Sequence, residues 1–255
     1  MSKKALVLRV NDKDGKSYGG FQWPLEVGAT VTAPDWKKNE ACGNGLHGWL
    51  YGQGDHSCTD RWAAEGALWY VVEVNLADVV MLGGKCKFPG CVVKFIGDKK
   101  SATDYLWENE PQSRNVAVIG AQRADLRDGM HVQVGALGTA TAGDSGTATA
   151  GHRGTATAGY RGTATAGDSG TATAGYRGTA TAGYSGTATA GYSGTATAGD
   201  SGTATAGKYG CICILFYDAK ADEYRKLCAE VDGVIIKADT PYRLDDSGNF
   251  VEVIA

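Results

Sequence analysis

Nine consecutive copies of the octapeptide Gly-Thr-Ala-Thr-Ala-Gly-x-x run without a gap from Gly138 to Tyr209. A short fixed period gives every copy the same face to bury, so the copies must stack on one another, and the chain builds a solenoid instead of a globular core. Six positions never vary, while the last two change among Asp-Ser, His-Arg, Tyr-Arg, Tyr-Ser and Lys-Tyr. Thr-Ala-Thr-Ala alternates a β-branched polar residue with a small apolar one, which predicts a short strand with one face buried. Glycines at the first and sixth positions are expected to supply the backbone freedom of a tight turn. One octapeptide cannot close a coil. Two of them make a flattened sixteen-residue turn, with two strands facing each other across an alanine interior.

The variable positions support that unit. At a spacing of sixteen, Tyr160, Tyr176 and Tyr192 fall at one corner with Arg161 and Arg177 beside them, and His152, Asp168, Tyr184 and Asp200 at the other. Nine half-turns make four and a half coils, a rod of about 22 Å at the usual strand spacing. At the ends, Val132 and Val134 precede the array in alanine register and Ile212 and Ile214 follow it, with Cys211 and Cys213 in threonine register. Larger apolar groups replace Ala, so alanines point inward and threonines outward. One face then carries Thr139 with Thr141, Thr155 with Thr157, Thr171 with Thr173, Thr187 with Thr189, and Thr203 with Thr205. The other carries Thr147 with Thr149, Thr163 with Thr165, Thr179 with Thr181, and Thr195 with Thr197. Both faces are expected to be flat lattices of hydroxyls and methyls. Alanine methyls contribute only about 0.8 kcal/mol each, so coil-to-coil hydrogen bonds and end caps must hold the rod.

Composition shifts at the repeat boundaries. The fold expected is mainly β: an N-terminal β-rich α+β domain over 1–108, a linker with irregular first rungs over 109–137, the octapeptide solenoid over 138–209 and a small β cap over 210–255. All six tryptophans lie at or before Trp107. Ala5–Val10, Tyr70–Val74 and Cys91–Ile96 read as strands, and Asp60–Leu68 and Ser101–Glu108 as short helices. In the tail, Tyr242–Leu244 and Phe250–Ile254 flank Asp-Asp-Ser-Gly, a hairpin signal. Net charge is −3, which provides no basic field for nucleic acid or anionic lipid. The first residues do not read as a signal peptide, no apolar run reaches membrane-spanning length, and a cytoplasmic location is expected. Seven scattered cysteines predict reduced thiols in place of a disulfide framework.

Two constellations are candidates for chemistry. Cys42, His47, His56 and Cys58 are zinc-ligand types within seventeen residues, but their spacing matches no standard finger, and no metal or other cofactor is expected. His47 with Glu73 is the candidate catalytic pair, in a pocket expected to be lined by Trp49, Tyr51 and Trp69. In the repeat, a row of aromatics at an exposed edge is costly unless covered, so Tyr160, Tyr176 and Tyr192 are the candidate dimer seam. Arg153, Arg161 and Arg177 are read as solubilising the rod.

Read from the alanine, residues 190–199 give Ala-Gly-Tyr-Ser-Gly-Thr-Ala-Thr-Ala-Gly. This resembles the tandem repeats of bacterial ice nucleation proteins, which implies Thr-x-Thr rows that order water and a tyrosine ladder between two copies. Ice nucleators use far longer arrays, so at this size the better comparison is with antifreeze solenoids, whose flat Thr-x-Thr face binds ice. The flanks, through Cys42-Gly-Asn-Gly-Leu-His47, Val71-Val-Glu-Val74, Gly84-Lys-Cys-Lys-Phe88, Gly233–Leu244 and Phe250-Val-Glu-Val253, resemble uncharacterised proteins of bacteriophages and prophages. That resemblance implies a phage-infected or prophage-carrying bacterium as the setting. A Gly-Leu-His followed by a strand ending in Glu is similar to ADP-ribosyl-transferring folds, without the rest of that pattern.

The primary expectation is a non-catalytic, phage-encoded interaction scaffold, homodimeric, that presents flat Thr faces and a Tyr seam to a macromolecular partner such as a host protein. The alternatives are an ice-binding protein working through the Thr rows and an enzyme of ADP-ribosyl-transferring type in the N-terminal domain. Neither membrane nor nucleic acid is expected as a partner.

Overall fold

The computed structural model describes residues 3–254. It is mainly β and divides into two units, Met1–Ala121 and Gln122–Ala255.

The first unit is built on β1 (Lys4–Asn11), β2 (Thr30–Thr32), β3 (Leu46–Leu50), β4 (Leu68–Asn75), β5 (Val80–Met81), β6 (Cys86–Phe88) and β7 (Gly90–Gly97). They form one antiparallel sheet in the order β2-β7-β4-β1-β3-β6-β5. The apolar runs in β1 and β4 are buried because these strands are central, and Ala5, Val7, Tyr70, Val72 and Val74 join Trp23, Phe88 and Val93 in one core. Helix α1 (Lys99–Asn109) starts where the Asp98 carboxylate accepts the Ser101 N–H at 2.8 Å, and it buries Ala102 and Leu106. Just beyond it, Glu110 accepts the Leu6 N–H at 2.9 Å in a buried site.

The expected helix at Asp60–Leu68 is absent. A single 3₁₀ turn spans Arg61–Ala63, Gly66 takes a left-handed φ of 71°, and Leu68 already begins β4. The left-handed glycine stops any helix there.

The second unit opens with β8 (Gln122–Asp125) and β9 (His131–Gln133), which lie within the stretch expected as linker and irregular rungs. Strands β10 to β18 are Thr139–Ala142, Thr147–Ala150, Thr155–Ala158, Thr163–Ala166, Thr171–Ala174, Thr179–Ala182, Thr187–Ala190, Thr195–Ala198 and Thr203–Ala206. They are followed by β19 (Cys211–Asp218), β20 (Glu223–Glu230), β21 (Tyr242–Leu244) and β22 (Phe250–Glu252). Alternate strands belong to opposite sheets, in the orders β22-β21-β18-β16-β14-β12-β10-β8 and β20-β19-β17-β15-β13-β11-β9. Repeat strands pair in parallel with the strand sixteen residues on, Thr139 with Thr155 and Thr147 with Thr163, so the coil is the sixteen-residue one. The solenoid makes about six turns over residues 122–214.

Its interior is the alanine column. All eighteen repeat alanines are 3% exposed or less, and Val132, Val134, Ile212 and Ile214 continue the column at its ends. In the first coil, Arg123 and Asp125 occupy the alanine register. No apolar alternation marks that strand in the sequence.

The glycines do something other than expected. The residue that turns each corner left-handed is the second variable one: Leu137, Ser145, Arg153, Arg161, Ser169, Arg177, Ser185, Ser193, Ser201 and Tyr209 all have φ between 51° and 61°. From Leu137 to Ser193 their N–H groups bond the next coil, as Ser145 to the Tyr160 carbonyl at 2.7 Å and Arg161 to the Tyr176 carbonyl at 2.9 Å. This offsets the cost of the left-handed conformation. The framework glycines are instead required by close approach. A Cβ on Gly199 would sit 2.5 Å from the carbonyl carbon of Gly183 and 2.6 Å from its oxygen, and one on Gly175 would sit 2.9 Å from the corresponding atoms of Gly159.

The tail caps the rod. Strand β21 pairs with β18 and with β22, so the expected hairpin around Asp245–Gly248 forms and covers that sheet edge. Strand β20 pairs along the whole of β19, and Cys213 and Cys228, directly opposed, form a disulfide. The expectation of reduced thiols throughout is corrected by this pair, which only the β19–β20 register brings together.

Candidate functional site

The solenoid offers three kinds of surface. On the face of β10, β12, β14, β16 and β18 the five expected Thr-x-Thr rows follow one another in unbroken register. At sheet spacing the rows lie about 4.8 Å apart, with threonines about 6.6 Å apart along each strand. Threonine is stiff at χ1, so hydroxyls and methyls are held in a fixed lattice.

The threonines face outward and the alanines are buried, but exposure along the rows is uneven. Thr155, Thr171 and Thr187 are exposed, but the second threonine of every row is half-buried: Thr141, Thr157, Thr173, Thr189 and Thr205. Thr139 and Thr203, in the terminal rows, are half-buried as well. Strand register does not separate the two columns, because Thr171 is flanked by Thr155 and Thr187 just as Thr157 is flanked by Thr141 and Thr173. The face is thus a central column of three exposed threonines beside a column of five recessed ones.

The opposite face has four Thr-x-Thr rows and then Cys211 and Cys213 in threonine register. It is less flat still. Leu215 and Tyr224 rise beside Thr181 and Thr197 and enclose a hollow of about 370 Å³.

The third surface is the corner. Tyr160 and Tyr176 stack at 5.5 Å between ring centroids and 11° between planes, and Tyr176 and Tyr192 at 5.2 Å and 4°. Tyr209 closes the row edge-on to Tyr192. Arg161 and Arg177 lie over the rings of Tyr160 and Tyr176 at 5.3 and 5.4 Å. Each stacked ring remains 41% exposed, so the stack covers the faces and leaves the outer edges free. Where the column starts with Asp144, its carboxylate accepts the Tyr160 N–H at 2.9 Å instead, as Asp168 does for Tyr184 at the other corner.

The first unit contains a cleft of about 670 Å³ between β1, β3 and the loops before and after β3. Arg9, Trp23, His47, Trp49, Arg61 and Lys85 are among its walls. Arg9 lies in the apolar run of β1 and is 7% exposed. Its guanidinium carbon sits 3.5 Å over the Trp23 ring, Nη1 donates to the His47 carbonyl at 3.1 Å and Nη2 to Asn11 Oδ1 at 2.6 Å. Nε has no hydrogen-bond partner, and no carboxylate among the described residues pairs with the group. Burial pulls its pKa down to about 9, against small opposing effects of Cys91 and Tyr70. Burial, reinforced by Lys85, Arg9 and Lys87, holds His47 down to about 4, and His47 Nε2 is buried without a partner. Behind this wall the buried Lys87 ammonium donates to Asn39 Oδ1 and the Ala41 carbonyl, at 2.7 and 2.8 Å, and ties down the loop that carries Cys42.

The sequence candidates divide. Cys42, His47, Trp49 and Cys58 line the cleft; Tyr51, Trp69 and Glu73 do not. Glu73 lies 3.8 Å from Lys94 in an ion pair. Its position is opposite Leu6, whereas Tyr70 is opposite Arg9, and the odd spacing puts Glu73 on the other face of the sheet. The expected His47–Glu73 pair is therefore not formed. His56 packs on Trp62, with ring centroids 5.7 Å apart. Among the described residues no group of three or more His, Cys, Asp or Glu side chains is arranged to hold a metal ion. Arg9 escaped the sequence reading; its one signal is a lone arginine inside an apolar strand.

Fold and surface together define a parallel β-solenoid with stacked Thr-x-Thr rows and a tyrosine corner, joined to a β-rich unit with a cleft. Comparison with known proteins is consistent with that division. Residues 5–108 match a domain of unknown function, DUF7666. The repeat is homologous to those of ice nucleation proteins. The chain is 35% identical to one from Pseudomonas syringae over 105 residues, 40% of this chain and 9% of that protein. It is 32% identical over 111 residues to one from Xanthomonas campestris pv. translucens, 43% of this chain and 7% of that protein. It is 33% identical over 105 residues to InaU of Pantoea ananas, 40% of this chain and 10% of that protein. The chain thus spans a tenth or less of these relatives. No solved structure matches it.

Proposed function

We propose that the solenoid is a non-catalytic display scaffold, and that the surface it displays is a water-ordering, ice-binding one. The observation that carries this reading is the unbroken lattice of five Thr-x-Thr rows on one face, from Thr139 and Thr141 to Thr203 and Thr205. Hydroxyls at fixed spacing anchor water, and methyls between them disfavour any water not held by its neighbours. The half-buried column, Thr141 to Thr205, lies beside the exposed Thr155, Thr171 and Thr187 on the same face. A lattice that is rigid beforehand loses little entropy on meeting a crystal surface. The second face, with its hollow beside Thr197, is the weaker one. Homology to proteins named for ice nucleation supports the same reading.

The test is ice recrystallisation inhibition by the purified chain beside a Thr171→Tyr/Thr173→Tyr variant, with Thr163→Tyr/Thr165→Tyr on the opposite face as control. The reading requires activity in the parent, its loss in the first variant and its retention in the second. A parent without activity at high concentration removes the reading.

The tyrosine corner supports a second reading. Stacked rings with exposed outer edges suit a seam between two copies, or a contact with a macromolecular partner such as a host protein. A phage or prophage setting and a cytoplasmic location belong to this reading, supported by the resemblance of the flanks. Sedimentation of the parent against a Tyr160→Ser/Tyr176→Ser/Tyr192→Ser variant tests the seam; equal molecular weights would end it.

A further inference from the structure

The cleft of the first unit is independent of the solenoid reading, and Arg9 is its anomaly. A guanidinium held away from water without a carboxylate costs stability, and replacing such a charge with a well-packed neutral side chain is commonly neutral or stabilising. Here the group keeps its charge while stacked on Trp23, with two donors engaged and Nε left over. Two further cations, Arg61 and Lys85, line the same cleft. The carboxylates on its walls are Asp35 and Asp60, so cationic groups outnumber acidic ones where apolar walls weaken screening. Arg61 has only a long contact with Asp12, at 3.9 Å, and its Nε is also without a partner. Trp23, Trp49 and Phe21 supply flat apolar walls. The volume of about 670 Å³ falls within the range of about 300–1,000 Å³ usual for small-molecule sites.

We infer that this cleft binds a small organic phosphate carrying a flat ring, with Arg9 as the principal anion contact and the accessible rings of Tyr18 and Phe21 as the ring's support. Several cations around one recess suit a multiply charged anion better than a single carboxylate, because each phosphate oxygen can accept a charge-assisted bond. An uncharged ring gains the stacking alone, and a bare phosphate the charge alone.

Calorimetric titration of the full chain with adenosine 5′-diphosphate, pyrophosphate and adenosine tests this, alongside Arg9→Met and Arg61→Gln. The diphosphate is expected to bind most tightly of the three, and Arg9→Met to weaken it at least about tenfold. Urea titration should show Arg9→Met as stable as the parent or more so, because the substitution removes a buried charge and keeps the volume. Arg61→Gln, at a more exposed position, should weaken binding without disturbing the fold and keeps the test open if Arg9→Met does not fold. No binding of any probe at millimolar concentration, adenosine binding as tightly as the diphosphate, or variants that bind like the parent would overturn the proposal.

Discussion

Replacing Gly199 by alanine separates the two accounts of the repeat glycines. If glycine were there for conformational freedom, alanine at this ordinary backbone angle would be mildly stabilising, by about 0.4–1 kcal/mol. The geometry predicts the opposite. The new Cβ would lie 2.5 Å from the Gly183 carbonyl carbon and 2.6 Å from its oxygen and the Tyr184 nitrogen. Carbon atoms sit comfortably at about 3.5 Å, so the coils must part locally by about 1 Å. That stretches the Gly199 N–H bonds to the Ala182 and Gly183 carbonyls, now 3.0 and 3.2 Å, out of range. Two hydrogen bonds of about 1 kcal/mol each, with about 1–3 kcal/mol of overpacking, give a loss of roughly 3–5 kcal/mol. Native-state hydrogen exchange across residues 183–207 reads it directly, because the parting is confined to neighbouring coils. Ser193→Gly, at a φ of 54°, should change stability little or raise it slightly. Gly199→Ala with exchange as slow as the parent's would refute the close-approach argument.

Other outcomes follow from the same structure. The Cys213–Cys228 disulfide closes a separation of 15 residues, so Cys213→Ala/Cys228→Ala should cost about 3 kcal/mol by denaturant titration, equal to the effect of reductant on the parent. His47 titrates near 6.5 when unfolded and near 4 when folded; between these values the unfolded chain binds the extra proton, so stability falls as pH drops from about 6.5 to about 4. His47→Gln should flatten that part of the difference curve, and a variant whose pH profile parallels the parent's would contradict the assignment. Glu110→Gln keeps the shape but weakens acceptance of the buried Leu6 N–H, and a loss of about 1 kcal/mol in the first unit is expected by tryptophan fluorescence.

The solenoid was legible because its evidence is redundant: invariant threonines and alanines set the faces, the tyrosine spacing set the coil length, and Val132 and Ile212 set the inward direction. Alternation tells which way a side chain points and not how far its neighbours cover it, so the recessed position of Thr141, Thr157, Thr173, Thr189 and Thr205 was out of reach. The flanks carry one copy of each signal, and there local resemblance misled. Asp60–Leu68 has helix-like spacing of Trp62, Ala63 and Ala67, yet Gly66 turns the backbone left-handed within it. Strand β20 was not visible because most of Glu223–Glu230 is exposed and no apolar alternation marks it, and with it went the partner of Cys213. The role of the glycines was misread since composition does not distinguish a residue that must bend from one that must be small. In the cleft, His47 was found by its chemistry. Glu73 was wrongly joined to it because the face of a strand residue depends on register, which the sequence leaves open, and Arg9 was hidden by the apolar run around it.

The most direct test of the central claim is ice-affinity partition of the purified chain. A slowly growing ice surface takes up a protein that binds it and rejects one that does not. The account predicts enrichment in the ice fraction for the parent and for Thr163→Tyr/Thr165→Tyr, with Thr171→Tyr/Thr173→Tyr left in the liquid. A parent rejected from ice as fully as an unrelated protein of this size would contradict it.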